Sequence, residues 1–458
     1  MNTPTGQLAT LPARVRSGEV RAIELASVAL RRARDDPHNA FVTITDERAT
    51  RTAQRIDSML KSGVDPGPLA GITLGVKDVH DVAGVRTQHG CLAFADAPLA
   101  PASSEIVQCL EAAGAVIIGK TSTSELEFSA TAENPVSGVT EHPTHAGHTP
   151  GGSSGGSAVA VAAGMVDLST GTDGGGSLRI PASACGLPAL KLSPNRISTQ
   201  DGWGLSGAWG ALSSAGVFTQ DLPSLWLAYD VLLSAAFSGP WSDRLPSLRD
   251  AAIEGVRGPP PRVAWMPNLG WADPAPAVTG VCTDAIDALT DAGAIVTELD
   301  GFEMEDPALL WTRLAATGTR RWLEGHPARP DLSSVTPALQ MLLDRWGDSD
   351  DQTLATARME ADSLRFELEV RLAGFTALLC PTTVGPPPLH IDAARARWVR
   401  NTYFFNLTQS PAGTIRAGST SSGLPVGLQI IAVRGRDLDV VRTMAWVSEV
   451  LPRQGMRT

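Results

Sequence analysis

The sequence predicts an α/β fold: a largely parallel or mixed sheet with helices on both faces, built as one domain. Three observations point there. The segment Leu110 to Gly119 resembles the segment Leu289 to Thr297; each reads as the end of a helix, a glycine at its stop, then an apolar β-branched strand. That is the helix-to-strand half of a crossover unit, and shared βα grammar explains the likeness better than duplication. A further strand, Arg262 to Met266, follows the breaker Gly258-Pro259-Pro260-Pro261. The chain has 458 residues, 43% of them hydrophobic, enough for a large α/β sheet to hold as one unit.

Taken in order, residues from about Glu19 to Arg34 read as an amphipathic helix, with Val20, Ile23 and Leu30 at helical spacing and arginines between. Asp46 to Leu60 is a second, highly charged helix suited to the surface. Leu69 to Val76 is a short buried strand running into Lys77-Asp78. Ala158 to Met165 is small, apolar and helix-like. The Pro/Gly-rich stretches near 239–261 and 381–388 are short and flanked by apolar runs, so they are expected to be loops within the domain.

Composition excludes several classes. The net charge is −11 and no basic run overrides it, which argues against nucleic acid, because phosphate binding needs clustered Lys and Arg. The five cysteines (91, 109, 185, 282 and 380) are odd in number and form no CxxC pair, so neither a disulfide framework nor a zinc knuckle is readable. The N-terminal residues lack the basic-then-apolar pattern of a signal peptide. The most apolar stretch, Ala158 to Val166, falls short of the ~20 residues a membrane span needs. A soluble, cytoplasmic protein, monomer or homodimer, with a small-molecule substrate is the expectation.

The chemistry-bearing stretches are two glycine runs, Pro150-Gly151-Gly152-Ser153-Ser154-Gly155-Gly156-Ser157 and Gly171-Thr172-Asp173-Gly174-Gly175-Gly176-Ser177-Leu178-Arg179. Successive glycines let the backbone approach a ligand and turn its N–H groups inward as an anion-binding nest. A hydroxyl at the end of such a run can attack while neighbouring N–H groups stabilise the developing oxyanion. A serine nucleophile needs a base, and none of the eight histidines is marked out by its spacing. A lysine serves if burial keeps it neutral. A phosphate loop would need a lysine that neither run has, and a dinucleotide fingerprint would need a strand opening into GxGxxG. A flexible Gly/Ser linker would not lead straight into an apolar helix.

Three blocks, Gly75-Val76-Lys77-Asp78, Thr149 to Ser157 and Gly171 to Pro181, resemble the hallmark blocks of the amidase-signature hydrolases. Asn39-Ala40-Phe41, Gly119-Lys120-Thr121, Glu133-Asn134-Pro135, Cys380 to Thr383, Phe405 to Thr408 and Gly423 to Gln429 sit in the family's order, so the resemblance spans nearly the whole chain. It implies one catalytic domain over residues 1–458, with its signature core at about 70–200. The implied fold is a central mixed sheet of about eleven strands sandwiched by α-helices. The implied triad is Ser177 as nucleophile, Ser153 as a bridging serine on a cis peptide 24 residues earlier, and Lys77 as neutral base. Gly174, Gly175 and Gly176, with the Ser177 N–H, would form the oxyanion hole. Ser154 could be mistaken for the bridge, and Ser157 would open the helix. The implied activity is hydrolysis of an amide C–N bond, with aryl amides among the candidate substrates, through an acyl-enzyme, with no metal and no cofactor. A carbamate (urethane) or ester hydrolase would use the same triad, and an amidotransferase subunit is a more distant reading.

The chain also departs from the family pattern. Gly174 stands where Thr or Ile is usual, which predicts a looser wall and more room. Leu190 to Ser198 departs from the usual motif, and Gln220 and Ser224 sit where Arg and Asp are common; these changes leave the substrate class open and weaken the amidotransferase reading. His142, His145 and His148 lie in a loop with no helix to align them on a metal. Trp203 and Trp209 are candidates for an aromatic-friendly pocket. Asp173 is expected to brace the nucleophile loop, with Arg179 in a structural ion pair in preference to binding a substrate carboxylate.

Overall fold

Eleven strands form two hydrogen-bonded sheets in a computed structural model of the chain, which describes residues 7–198, 208–234 and 245–451 apart from 272, 329 and 394–397. The first sheet joins β1 (Phe41–Ile44), β2 (Thr73–Lys77), β3 (Val116–Thr121), β6 (Leu168–Asp173) and β8 (Ser214–Phe218) in the order β1-β3-β2-β6-β8. The second joins β7 (Ala189–Lys191), β9 (Arg262–Trp265), β10 (Ile295–Glu298), β11 (Ala377–Pro381), β12 (Ala412–Ser419) and β13 (Pro425–Ile431) in the order β10-β9-β11-β13-β12-β7. A separate ribbon pairs β4 (Glu133–Asn134) with β5 (Gly138–Val139). Both sheets mix parallel and antiparallel pairs: β3, β2 and β6 run parallel, and so do β10, β9 and β11. The α/β class with a mixed sheet stands.

Backbone hydrogen bonding divides these eleven strands into two ladders, of five and six. They meet where β7 lies beside β8, joined by side chains instead of a ladder. The Tyr229 hydroxyl donates to the Leu190 carbonyl, an acceptor that a β7–β8 ladder would use. Ser214 Oγ donates to the Leu192 carbonyl at 3.1 Å.

The two look-alike segments fold alike. The helices Glu105–Ala112 and Pro276–Asp291 each lead to a glycine with φ of +100°, Gly114 and Gly293, and then into β3 and β10. At Gly114 a Cβ would lie 2.8 Å from the Pro66 carbonyl oxygen, so both the conformation and the space demand glycine. The first predicted helix starts later than its periodicity suggested, at Ala22 (Ala22–Arg34), because Arg21 and Glu24 cap it: the Arg21 N–H donates to Glu24 Oε2 at 3.1 Å. The second runs Asp46–Lys61, as its pattern predicts. The strand predicted from Leu69 begins at Thr73, after a turn. Within the stretch 239–261 the helix Leu248–Arg257 replaces the expected loop, buries Leu248, Ala251 and Ala252, and packs on the helix Asp437–Val450; residues 239–244 lie outside the described set.

Strands β2, β3 and β6 are buried along their whole length, as parallel strands covered on both faces must be. In β2 and β3 the cover is met mainly by apolar residues. β6, Leu-Ser-Thr-Gly-Thr-Asp, is mostly polar, so its hydroxyls need partners inside the protein. Ser169 Oγ donates to the Ser157 carbonyl at 2.7 Å, and Thr170 Oγ1 accepts the Lys77 N–H at 2.9 Å. Parallel β2 and β6 thus carry Lys77 and Asp173 at the same, carboxyl, end of the sheet, where open α/β sheets place their ligand sites.

Candidate active site

Lys77 ends β2 with its side chain fully buried. Its Nζ lies 2.7 Å from Ser153 Oγ, 2.7 Å from Glu127 Oε1 and 2.5 Å from Thr172 Oγ1. Burial pushes the Lys77 ammonium below the ordinary lysine value; the adjacent Glu127 carboxylate, and Asp173 beyond it, pull the other way without restoring it. Ser153 follows a cis peptide bond from Gly152. The neighbouring Ser154 faces away from Lys77: its Oγ bridges to β6, donating to the Thr172 carbonyl and accepting the Thr172 N–H, both at 3.3 Å. Ser157 is not the residue that opens the helix Gly155–Ala162; it lies in the first turn and its hydroxyl pairs with Thr121 Oγ1 of β3 at 2.6 Å.

The turn after β6 carries the glycine run. Asp173 and Arg179 are both fully buried and paired through two 2.8 Å bonds, Nε to Oδ2 and Nη2 to Oδ1. Arg179 Nη1 also donates to the Thr402 carbonyl (3.1 Å) and Gln429 Oε1 (2.6 Å), and Nη2 to Asn406 Oδ1 (2.7 Å). All five guanidinium donors are therefore used, and none is left for a substrate carboxylate. Burial raises the Asp173 carboxyl, but the Arg179 charge and hydrogen bonds outweigh it and hold the group well below the usual carboxylate range.

The same carboxylate organises the backbone, accepting the N–H of Gly176 at 2.9 Å, of Leu178 at 3.3 Å and of Arg179 at 3.4 Å. Gly176 is therefore corrected from oxyanion donor to shaping residue: its amide is engaged, its φ is +125°, and Thr402 occupies the space of a side chain. The amides of Gly174, Gly175 and Ser177 have no partner among the described residues. Trp311 Nε1 donates to the Gly174 carbonyl at 2.7 Å, and because a trans peptide sets C=O and N–H on opposite sides, this turns the Gly175 N–H the other way. Ser177 is buried, and its hydroxyl makes no hydrogen bond to the described residues.

The extra room expected at Gly174 is absent. A Cβ there would overlap the Trp209 ring, so the tryptophan fills what a larger residue 174 would occupy. At Gly175 a Cβ would stand 2.8 Å from Trp311 Cζ2. Trp209 and Trp311 meet edge to face with centroids 5.7 Å apart, and Phe128 packs on both at 5.3 and 6.1 Å. An aromatic wall thus stands over the glycine turn. Trp203 lies outside the described residues.

The three loop histidines pack ring against ring, with centroids 5.2 Å (His142–His145) and 6.2 Å (His145–His148) apart, and a nitrogen of each ring also meets a backbone carbonyl. His142 Nε2 pairs with the Ala184 carbonyl at 2.8 Å, His148 Nδ1 with that of Pro387 at 2.8 Å, and His145 Nε2 with that of Ser422 at 3.3 Å. No group of three or more His, Cys, Asp or Glu residues suited to a metal occurs among the described residues. Gln220 and Ser224 are structural: Gln220 Nε2 donates to the Val161 carbonyl, and Ser224 Oγ accepts the Leu8 N–H.

Sequence reasoning missed Glu127, Thr172, Phe128 and Trp311. Glu127 and Leu126 both take positive φ, +63° and +45°, which neither residue type signals in a sequence. Trp311 arrives from the helix Ala308–Gly325, far along the chain.

Lys77, Ser153 and Thr172 thus meet at the carboxyl end of the first sheet, and Ser177 lies on the turn that follows β6 beside unpaired backbone amides. Residues 24–441 match the Amidase family, and the chain belongs to it. It is 30% identical to an acylamidase of Rhodococcus erythropolis over 96% of this chain and 94% of that protein. It is 33% identical to a putative amidase of Mycobacterium bovis over 86% and 82%. It is 29% identical to a glutamyl-tRNA(Gln) amidotransferase subunit of Synechococcus over 91% and 92%. The fold matches a bacterial aryl acylamidase of the amidase-signature family with a TM-score of 0.86, at 24% identity over 97% and 96% of the two chains. It also matches a 6-aminohexanoate cyclic dimer hydrolase with a TM-score of 0.85, at 24% identity over 98% and 97%. The chain is an amidase-signature hydrolase acting on amides. No described helix is long and apolar enough to cross a membrane.

Proposed function

We propose that the chain, without a partner subunit or cofactor, cleaves a small amide through an acyl-enzyme on Ser177. The observation that carries this reading is the buried Lys77–Ser153 hydrogen bond, tied through Thr172 to the strand that leads into the Gly174–Ser177 turn. Ser177 Oγ attacks the carbonyl carbon. Its proton passes to Ser153 Oγ as the Ser153 proton passes to Lys77 Nζ. The carbonyl electrons move onto oxygen, where the amides of Gly174, Gly175 and Ser177 receive the charge. The proton returns along the same path to the leaving nitrogen, the C–N bond breaks, and water repeats the cycle on the ester. The aromatic wall of Phe128, Trp209 and Trp311 favours a substrate with a planar group beside the scissile bond, as in an aryl amide. A carbamate or ester fits the same chemistry.

Lys77 accepts a proton only as the neutral amine, so kcat/KM is expected to rise toward alkaline pH, with its limb below the ordinary lysine value because burial lowers the Lys77 pKa. On a chromogenic anilide, with the matching carbamate and ester alongside, Ser177→Ala and Lys77→Met are expected to lose roughly four orders of magnitude or more of kcat. Full turnover by Ser177→Ala contradicts the reading. A purified chain inactive on all three substrates would instead favour the role of an amidotransferase subunit.

A further inference from the structure

We propose that Glu127 is a positioning residue for Lys77: it aims the lysine lone pair at Ser153 and stabilises the ammonium formed when the relay takes the serine proton. This rests on the Ser177–Ser153–Lys77 reading above. Thr172 Oγ1 has one proton and donates it to Glu127 Oε1, so toward Lys77 it is an acceptor. Glu127 Oε1, as carboxylate, is also an acceptor toward Lys77. A neutral lysine has two N–H donors and one lone pair. With the donors directed at Glu127 and Thr172, the lone pair is left for the third neighbour, Ser153 Oγ at 2.7 Å. Once Lys77 is protonated, its three donors meet the same three oxygens. Both protonation states of Lys77 are satisfied without rearrangement.

The placement of Glu127 is built, since it is buried on a turn whose two left-handed residues are uncommon for Leu and Glu. The turn is tied to the relay: the Ser124 N–H donates to the Ser153 carbonyl at 3.3 Å and the Glu127 N–H to the Ser124 carbonyl at 3.2 Å. The next residue, Phe128, belongs to the aromatic wall. Other charged and titratable groups near Lys77 are otherwise committed. Asp173 is locked to Arg179, and Asp78 is paired with Lys120 at 2.8 Å. Burial holds His80 and His89 neutral, His80 pushed down to about 3. Glu127 is thus the carboxylate in direct contact with the amine.

The test is the pH profile of kcat/KM for Glu127→Gln and Glu127→Asp, with folding read from thermal transitions. The carboxylate favours the charged lysine, so removing its charge should move the alkaline limb to lower pH. It should also lower the plateau by roughly tenfold or more, because the cation formed in the reaction loses its partner. Glu127→Asp keeps the charge and should keep the limb near its native position with a reduced plateau. A folded Glu127→Gln whose limb and plateau match the native enzyme overturns the proposal, as does a limb moved to higher pH. If Glu127→Gln does not fold, a native plateau in Glu127→Asp overturns it. Lys77→Met separates the two readings. Full activity there sinks the relay itself, whereas an inactive Lys77→Met beside an unaltered Glu127→Gln profile sinks only the role of Glu127.

Discussion

Arg179 and Asp173 show how a charged pair can serve a site without touching substrate. The aspartate holds three backbone N–H groups of the turn bearing Ser177, while the arginine ties that turn to Thr402, Asn406 and Gln429. Removing one member of a fully buried pair leaves the other charge uncompensated, at a cost of about 3–5 kcal/mol. Asp173→Asn should therefore lower unfolding stability by about that amount in chemical denaturation, and lower activity through the displaced turn. The sequence marked Asp173 and Arg179 as braces because they flank a glycine run whose shape must be held. It also marked Lys77, Ser153 and Ser177, because short motifs carry these residues. Glu127 was invisible. Its segment, Ser124-Glu125-Leu126-Glu127-Phe128, has no periodicity, and what brings its carboxylate to Lys77 is an uncommon backbone conformation.

At the scale of elements, the site depends on an exchange between segments far apart in the chain. Glycine at 174 leaves space that Trp209 fills, and Trp209 is fixed in turn by Nε1 donating to Thr319 Oγ1 at 2.7 Å. Along the chain, Gly174 suggests a wider pocket; in three dimensions the volume belongs to a tryptophan 35 residues later. Gly174→Ala should therefore cost activity by pushing the indole and the turn apart, with kcat/KM on an anilide falling roughly tenfold or more. Trp209→Ala placed in the same chain should recover part of that loss, since the two changes share one space and should not add. Helices and strands with strong period or glycine stops were legible: Asp46–Lys61, the paired helix-to-strand units and β9. Leu248–Arg257 was not, because the flanking Pro and Gly residues masked a ten-residue amphipathic helix.

For the whole molecule, two sheets abut at β7 and β8, and the turn after β6 reaches into both. Its Asp173 belongs to the first sheet, while Arg179 bonds to Gln429 on β13 of the second. The turn bearing Ser177 is therefore fixed by contacts between residues up to 250 positions apart. That explains why α/β class and motif order could be read from the sequence, whereas the division into two sheets could not. At the division the Tyr229 hydroxyl takes the Leu190 carbonyl, a side-chain contact that leaves no mark on strand periodicity.

In the proposed relay Ser177 carries the acyl group while Lys77 draws its proton through Ser153. Peptide mapping by mass spectrometry, after rapid quenching of a reaction with a slowly deacylating aryl ester, reads this out. One acyl adduct is expected, on the peptide bearing Ser177. That adduct should form faster as pH rises, be absent in Ser177→Ala, and be strongly slowed in Lys77→Met. An adduct on Ser153 or elsewhere, or one that forms at the native rate in Lys77→Met, would contradict it.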